Sequence, residues 1–320
     1  MSAAELVLEV SDVHKRYGKV EALRGVTLAC ERGEVVGLIG RNGAGKTSLV
    51  SCIAGLRRPD LGVVRIEGVD VQERPQVTRQ HLGLAPQEIG VYPSISVRQN
   101  LRYFGELAGM SGRSLTRRMT ELMEALYLDD IADRLAGGLS GGQKRRLHTA
   151  MAMIHRPSLL LLDEPTAGAD TQTRSRLLEV VRGLAAQGTG VVYSSHILTE
   201  VEALGASVAI LHGGRVLARG AVDEVVAAHT KSWVRLTFDG PAPALPFDGA
   251  EADGSAVLVR TGDPSGVVAH LMGLLGEHLP RLRGVDVVPA SLESTYLALT
   301  GAESDHVEIG SKEDDVLAGT

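Results

Sequence analysis

The sequence lacks several features that would assign it a class at once. No stretch approaches the roughly 18 consecutive apolar residues of a membrane-spanning helix, and Leu159–Leu162 is only strand-sized. Met1 to Leu8 has no basic region leading into an apolar core, so no secretory leader is expected. Cysteine is scarce: Cys30 and Cys52 are the two in 320 residues, and they lack the spacing of a metal site. They read as small buried apolar residues of a reducing compartment, not a disulfide. No internal repeat is visible, which excludes two fused copies of one unit.

An excess of basic charge is also missing. The formal net charge is −6, and the segment 302–320 holds six acids against Lys312, leaving the rest close to neutral. A near-neutral body argues against a nucleic-acid-binding face. Hydrophobic residues at 44% and charged residues at 22% are ordinary for a globular chain long enough for one large and one small domain. The chain is therefore expected in the cytoplasm.

What is present is alternation of apolar strands and helical periodicity. Leu6–Val10 and Val26–Cys30 read as short strands around a Tyr17–Gly18 loop. Glu34–Gly40, Val63–Glu67, Leu82–Ala85, Leu159–Leu162 and Gly190–Ser195 are further strands, with helices predicted over Lys46–Leu56 and Thr171–Gln187. From Ser96 to Leu128 the pattern is helical: Leu101, Phe104, Leu107 and Ala108 share one face, and Met119, Leu122, Met123 and Leu126 another. Strands alternating with helices predict an α/β domain with a mostly parallel sheet over 1–230, carrying a helical subdomain at about 88–155. A small α+β accessory domain is predicted over 231–301, with strands near Trp233–Phe238, Ala256–Arg260 and Gly284–Val288 and a helix near Ser265–Leu279. The acidic, aromatic-free 302–320 is expected to be disordered.

Three motifs carry chemistry. Gly40-Arg41-Asn42-Gly43-Ala44-Gly45-Lys46-Thr47 follows an apolar strand and opens a helix. Its glycines let successive amides point at phosphates, the helix N-terminus adds positive potential, Lys46 reaches the β- and γ-phosphates, and the Thr47 hydroxyl is placed for Mg²⁺. Leu159–Leu162 delivers Asp163 and Glu164 to a strand's C-terminal end, where open α/β sheets bind ligands. By itself such a pair also suits a helix N-cap; beside a phosphate loop, Asp163 suits Mg²⁺ and Glu164 the attacking water. Leu139-Ser140-Gly141-Gly142-Gln143 is a second glycine-rich turn opening its own helix, so one chain offers two anion-facing surfaces.

In their order and spacing, these motifs resemble the ATP-binding subunit of an ABC transporter over about residues 5–228. The resemblance implies a P-loop NTPase fold of the ABC ATPase type, with ATP and Mg²⁺ as cofactors. It implies nucleotide contacts from Tyr17, Gly40, Asn42, Gly43, Ala44, Gly45, Lys46, Thr47 and Ser48, with Tyr17 stacking on adenine, although by itself Tyr17 reads as a core tyrosine. It implies Mg²⁺ contacts from Thr47, Gln87 and Asp163. Glu164, His196 and Gln87 become catalytic residues, with His196 touching the γ-phosphate. Asp170, in Thr166-Ala167-Gly168-Ala169-Asp170, marks a loop crossing between protomers; Ala169 stands where the family usually has leucine, which loosens the expected packing. Leu139, Ser140, Gly141, Gly142 and Gln143 would bind the ATP held by a partner chain, implying a head-to-tail homodimer.

Two further segments resemble the ATPases of ABC-2-type exporters of the daunorubicin-resistance kind: Glu88–Leu101 after Gln87, and Ala290–Gly301 near the end. The implied role is to drive export through a separately encoded integral membrane permease, from the cytoplasmic face of the membrane and without nucleic acid. The cargo class stays open among drug, natural product, lipid and polysaccharide. For 231–301 a dimer cap, a regulator and a ligand-binding module all stay open.

Overall fold

The structure, a computed structural model, describes residues 5–301; the acidic segment 302–320 lies outside the described residues. The described residues form two compact units, one through Val225 and one from Val226.

The first unit is organised by a six-stranded sheet. Its order is Arg215–Ala221, Ser207–His212, Val35–Ile39, Gly190–Ser195, Leu159–Asp163, Leu82–Ala85. All neighbours pair in parallel except Arg215–Ala221, which is antiparallel at one edge. Val35–Ile39, Leu159–Asp163 and Gly190–Ser195 are buried along their whole length, as strands covered on both faces must be. Their register aligns the ends that matter: Ile39 lies opposite Ser195, and Asp163 opposite Ser194. The Gly40 loop, Asp163–Glu164 and Ser195–His196 therefore leave the sheet side by side at its C-terminal edge.

A second, antiparallel sheet was not expected. It has the order Val20–Glu31, Leu6–Tyr17, Leu61–Ile66, Val69–Asp70. The two short strands read from the sequence are parts of a hairpin with 12-residue arms, turning at Gly18. The alternation breaks because the pairing shifts between Val10 and Val13, where Asp12 adopts φ 48°, and a bulge of this kind hides strand continuity from a period-2 pattern. Ser207–His212 and Arg215–Ala221 were also missed, although Gly213-Gly214 between them is a hairpin signal.

The helical region resolves into Val97–Leu107, Gly112–Ala125 and Gly141–Met153. Met119, Leu122, Met123 and Leu126 are buried as expected. Leu107 and Ala108 lie toward the end of the helix carrying Leu101 and Phe104, and both are exposed, Leu107 by 70%. Leu107 borders a cavity of about 740 Å³ whose lining also includes Leu56, Leu84, Phe104, His148 and Met151. The stripe belongs partly to core and partly to groove.

The second unit is a four-stranded antiparallel sheet, Ala250–Asp253, Ala256–Thr261, Ser232–Phe238, Leu282–Val288, with the helix Pro264–Leu274 against it. Alternating Val234, Leu236 and Phe238 pack with Val257, Val259, Leu271 and Leu275 into a core of its own. The helix predicted to Leu279 stops at Leu274, because Gly276 adopts φ 45° and Pro280 follows.

Candidate functional site

The glycine loop is shaped by its neighbours. Gly45 caps the helix Lys46–Ile53 at φ 110°, and a Cβ there would lie 2.6 Å from the Ala22 carbonyl oxygen. Only glycine fits that backbone and that gap. The loop is pinned where the Gly214 amide donates to the Ala44 carbonyl at 3.0 Å, while the Arg24 amide donates to Gly214 at 2.8 Å. Lys46 is buried, and its Nζ donates to the Gly40 carbonyl at 2.5 Å. Burial pulls its ammonium below the ordinary value, opposed by the nearby Glu164 and Asp163 carboxylates. Asn42 and Thr47 are exposed and Ser48 half-buried. Tyr17 ends the first arm of the hairpin, 43% exposed, with Lys15 Nζ 5.6 Å from its ring centre. With that exposure it is not a core tyrosine.

Asp163 is buried at the strand end, where the Ser194 hydroxyl donates to its Oδ1. Glu164 turns out of the sheet at φ 50°, a left-handed conformation that costs about 1–3 kcal/mol in a residue with a side chain. Two contacts hold it there: its amide donates to the Ser194 carbonyl at 3.1 Å and to Ser194 Oγ at 3.2 Å. The turn aims Glu164 away from Asp163 and toward His196, whose Nδ1 is 3.4 Å from Glu164 Oε1. His196 is exposed, while the Glu164 side chain is 13% exposed. Carboxylate, imidazole and phosphate loop thus share one end of the sheet.

Gln87 is exposed, two residues beyond the strand Leu82–Ala85. Its carbonyl accepts from Arg145 Nη1 at 2.7 Å, which ties the segment after Ala85 to the helix Gly141–Met153. Burial lowers the Arg145 guanidinium, opposed by Glu164 and Asp163, so this arginine also feels the carboxylates. Ser140 is the N-cap of that helix: its Oγ accepts from the Gln143 amide at 3.2 Å, and Gln143 Oε1 accepts from the Ser140 amide at 3.0 Å. Leu139 is buried, Ser140 and Gly141 are exposed, and Gly142 and Gln143 are half-buried. Asp170 caps the helix Thr171–Ala186 by accepting from the Thr173 amide at 2.8 Å. That amide, then the Thr173 hydroxyl, hold its carboxyl below the usual carboxylate range.

Among the described residues, no three His, Cys, Asp or Glu side chains group as a metal cage. The residues named for Mg²⁺ offer a hydroxyl on Thr47, an amide oxygen on Gln87 and a buried carboxylate on Asp163, a hard oxygen set that suits Mg²⁺ shared with phosphate and water. Sequence reasoning missed Ser194, Arg145 and Glu200. Ser194 ends a strand already marked and Arg145 lies two residues past the Leu139–Gln143 turn, but their roles depend on which neighbours the fold brings beside them.

Residues 23–167 match the family described as ABC transporter. "Nod factor export ATP-binding protein I" of Burkholderia lata is 34% identical over 304 residues, covering 92% of this chain and 97% of that protein. Among solved structures, "Structure of ATP binding subunit of ABC transporter" is 32% identical with TM-score 0.66, over 68% of this chain and 91% of the other. "Dimeric Structure of MJ0796, a Bacterial ABC Transporter Cassette" shares the fold at 24% identity and TM-score 0.61, over 67% and 98%.

Proposed function

The chain belongs to the ATP-binding subunits of ABC transporters, ATPases coupled to transport, and from that premise we propose the work of each site residue. ATP lies with its phosphates on the amides of Gly43 to Ser48, Lys46 against the β- and γ-phosphates, and adenine on Tyr17. Thr47, Asp163 and Gln87 hold Mg²⁺, which supplies charge neutralisation on the phosphates. Glu164 accepts a hydrogen bond from the attacking water, whose oxygen bonds to the γ-phosphorus as the bond to the β,γ-bridging oxygen breaks. Positioning of this kind contributes about 10²–10⁴ in rate. His196, next to Glu164, contacts the γ-phosphate. The observation that carries this reading is the 3.4 Å approach of His196 to Glu164 beside the phosphate loop.

The working form is a head-to-tail homodimer. Each chain's Ser140 turn, exposed at the N-terminus of a 13-residue helix, covers the ATP on its partner's loop. The dimeric state named for a cassette of the same fold supports this. The partner in the membrane is a separately encoded permease, worked from the cytoplasmic face. The lining of the apolar groove around Leu56, Phe104 and Leu107 includes Gly90 and His148, each three residues past a member of the Gln87–Arg145 link, and this groove is the proposed docking face for the permease. The relative named for Nod factor export supports export as the direction, with drug, natural product, lipid and polysaccharide as the cargo classes. Glu164→Gln tests the core of the reading. The variant binds ATP and dimerises but turns over at roughly one hundredth of the normal rate or less. Normal turnover would overturn it.

A further inference from the structure

Glu200 is a carboxylate that the proposed reaction does not use, yet it is 1% exposed and ringed by polar side chains. It sits in the short helix Leu198–Ala203, which packs on the strand Gly190–Ser195. Thr166 Oγ1 donates to its Oε1 at 2.8 Å. Tyr193 OH and Ser195 Oγ donate to its Oε2 at 2.9 and 2.8 Å. Arg174 Nε lies 3.1 Å from Oε1, close enough for charge attraction though off the direction of a hydrogen bond. Burial, then this carboxylate, push the Tyr193 phenol well above its ordinary value. A lone ionic group in so dry a place is costly unless its contacts are specific, and such contacts act at nearly full electrostatic strength.

The partners are not scattered. Ser195 and Ile197 flank His196, and the Ile197 amide donates to Ser195 Oγ at 2.9 Å, so the hydroxyl that Glu200 holds also closes the turn bearing the histidine. Thr166 lies two residues past Glu164, and the Ala167 amide donates back to the Glu164 carbonyl at 3.2 Å. Arg174 is in the first turn of the helix capped by Asp170, and its amide donates to the Asp170 carbonyl at 2.9 Å. One carboxylate therefore ties the turn of His196, the turn of Glu164 and the helix that begins at Asp170.

We propose that Glu200 is a positioning residue that locks these three segments into one rigid body, so that γ-phosphate contact at His196 is felt at the Asp170 loop facing the partner chain. The inference rests on the assignment of Glu164, His196 and Asp170 made above. Without Glu200 each segment keeps its own local hydrogen bonds, but their mutual placement loosens, and ATP binding ceases to drive closure.

The test is ATP-dependent dimerisation of the full chain in a Glu164→Gln background, read by size-exclusion chromatography or sedimentation. Adding Glu200→Gln keeps the shape but turns one acceptor into a donor facing other donors. The expected result is monomer affinity for ATP unchanged within about threefold, with dimerisation needing about tenfold more protein or more. Glu200→Asp, which keeps the carboxylate, recovers part of the closure. Tyr193→Phe, which removes a donor to Glu200 that belongs to the strand and to none of the three tied segments, lowers the melting temperature yet closes normally. Closure of the Glu200→Gln protein at the parent's concentration overturns the inference alone. So does equal loss of closure in Tyr193→Phe, since a general weakening of the fold would then explain both. Failure of the Glu164→Gln parent to dimerise with ATP overturns the reading beneath and this inference with it.

Discussion

Ser194 serves two neighbours with one hydroxyl, donating to buried Asp163 and accepting from the Glu164 amide that holds φ 50°. Ser194→Ala leaves a buried carboxylate oxygen without its donor and relaxes the Glu164 turn. Losing that bond costs about 1–3 kcal/mol, which in the rate corresponds to roughly 5- to 150-fold. Turnover should fall in that range while ATP affinity stays within about threefold; a Ser194→Thr control that keeps the hydroxyl should recover much of the rate. Unchanged turnover in Ser194→Ala would remove the serine from the account. His148 offers a pH test. Burial, and then Arg145, push its imidazole from the ordinary 6.5 down to about 4. As pH falls, the unfolded chain takes up this proton first, so stability is complete above about 6.5 and drains away toward about 4. Between pH 7.5 and 5 this amounts to about 2 kcal/mol, counted against an unfolded value of 6.5. Urea unfolding of His148→Leu, with Arg145 in place, should lack that portion of the acid sensitivity; equal slopes in both proteins would contradict it. None of these partnerships is legible in a string of letters. The motifs mark Asp163, Glu164 and His196, but which hydroxyl meets which carboxylate is decided by strand register.

At the scale of elements, the helix Gly141–Met153 has two tasks at its first turn. Ser140 caps it in a reciprocal box with Gln143, and the same hydroxyl is proposed to face a partner's phosphate. The tasks separate by substitution. Ser140→Ala should cost about 1 kcal/mol of stability as a lost cap, whereas Ser140→Asp should keep the cap and repel phosphate. Aspartate is thus predicted to restore the melting temperature and still abolish ATP-driven closure. If closure returns with stability, Ser140 is only a cap. Gly142→Ala makes the same point from the other side. A Cβ there would sit 3.8 Å from the Gly168 carbonyl oxygen, ordinary contact, so the monomer should be as stable as before while closure fails. Elements with an unbroken pattern were the legible ones: the continuous apolar strands Val35–Ile39, Leu159–Asp163 and Gly190–Ser195, and the helix Thr171–Ala186. The hairpin Leu6–Glu31 was not, because its bulge at Asp12 breaks the alternation. Leu107 misled because a groove-lining residue and a core residue follow the same helical spacing.

At the scale of the whole molecule, the sequence suggested a large and a small domain, and the described residues part into two units with separate apolar cores. What no single chain displays is the claim that unites the site. The glycine loop at Gly40–Thr47 and the turn at Leu139–Gln143 are proposed to serve one ATP only when they come from different chains. Cys30 and Cys52 are both buried, which leaves thiol chemistry to introduced cysteines. The most direct measurement mixes two proteins in the Glu164→Gln background, one carrying Arg41→Cys beside the glycine loop and the other Gly138→Cys beside the turn, both exposed positions outside the assigned contacts, and adds a short bis-maleimide with and without ATP. The account predicts a covalent dimer that forms in the mixture, requires ATP, and is absent when either protein is treated alone. A doubly substituted chain that bridges only within itself, with no covalent dimer from the mixture, would contradict it.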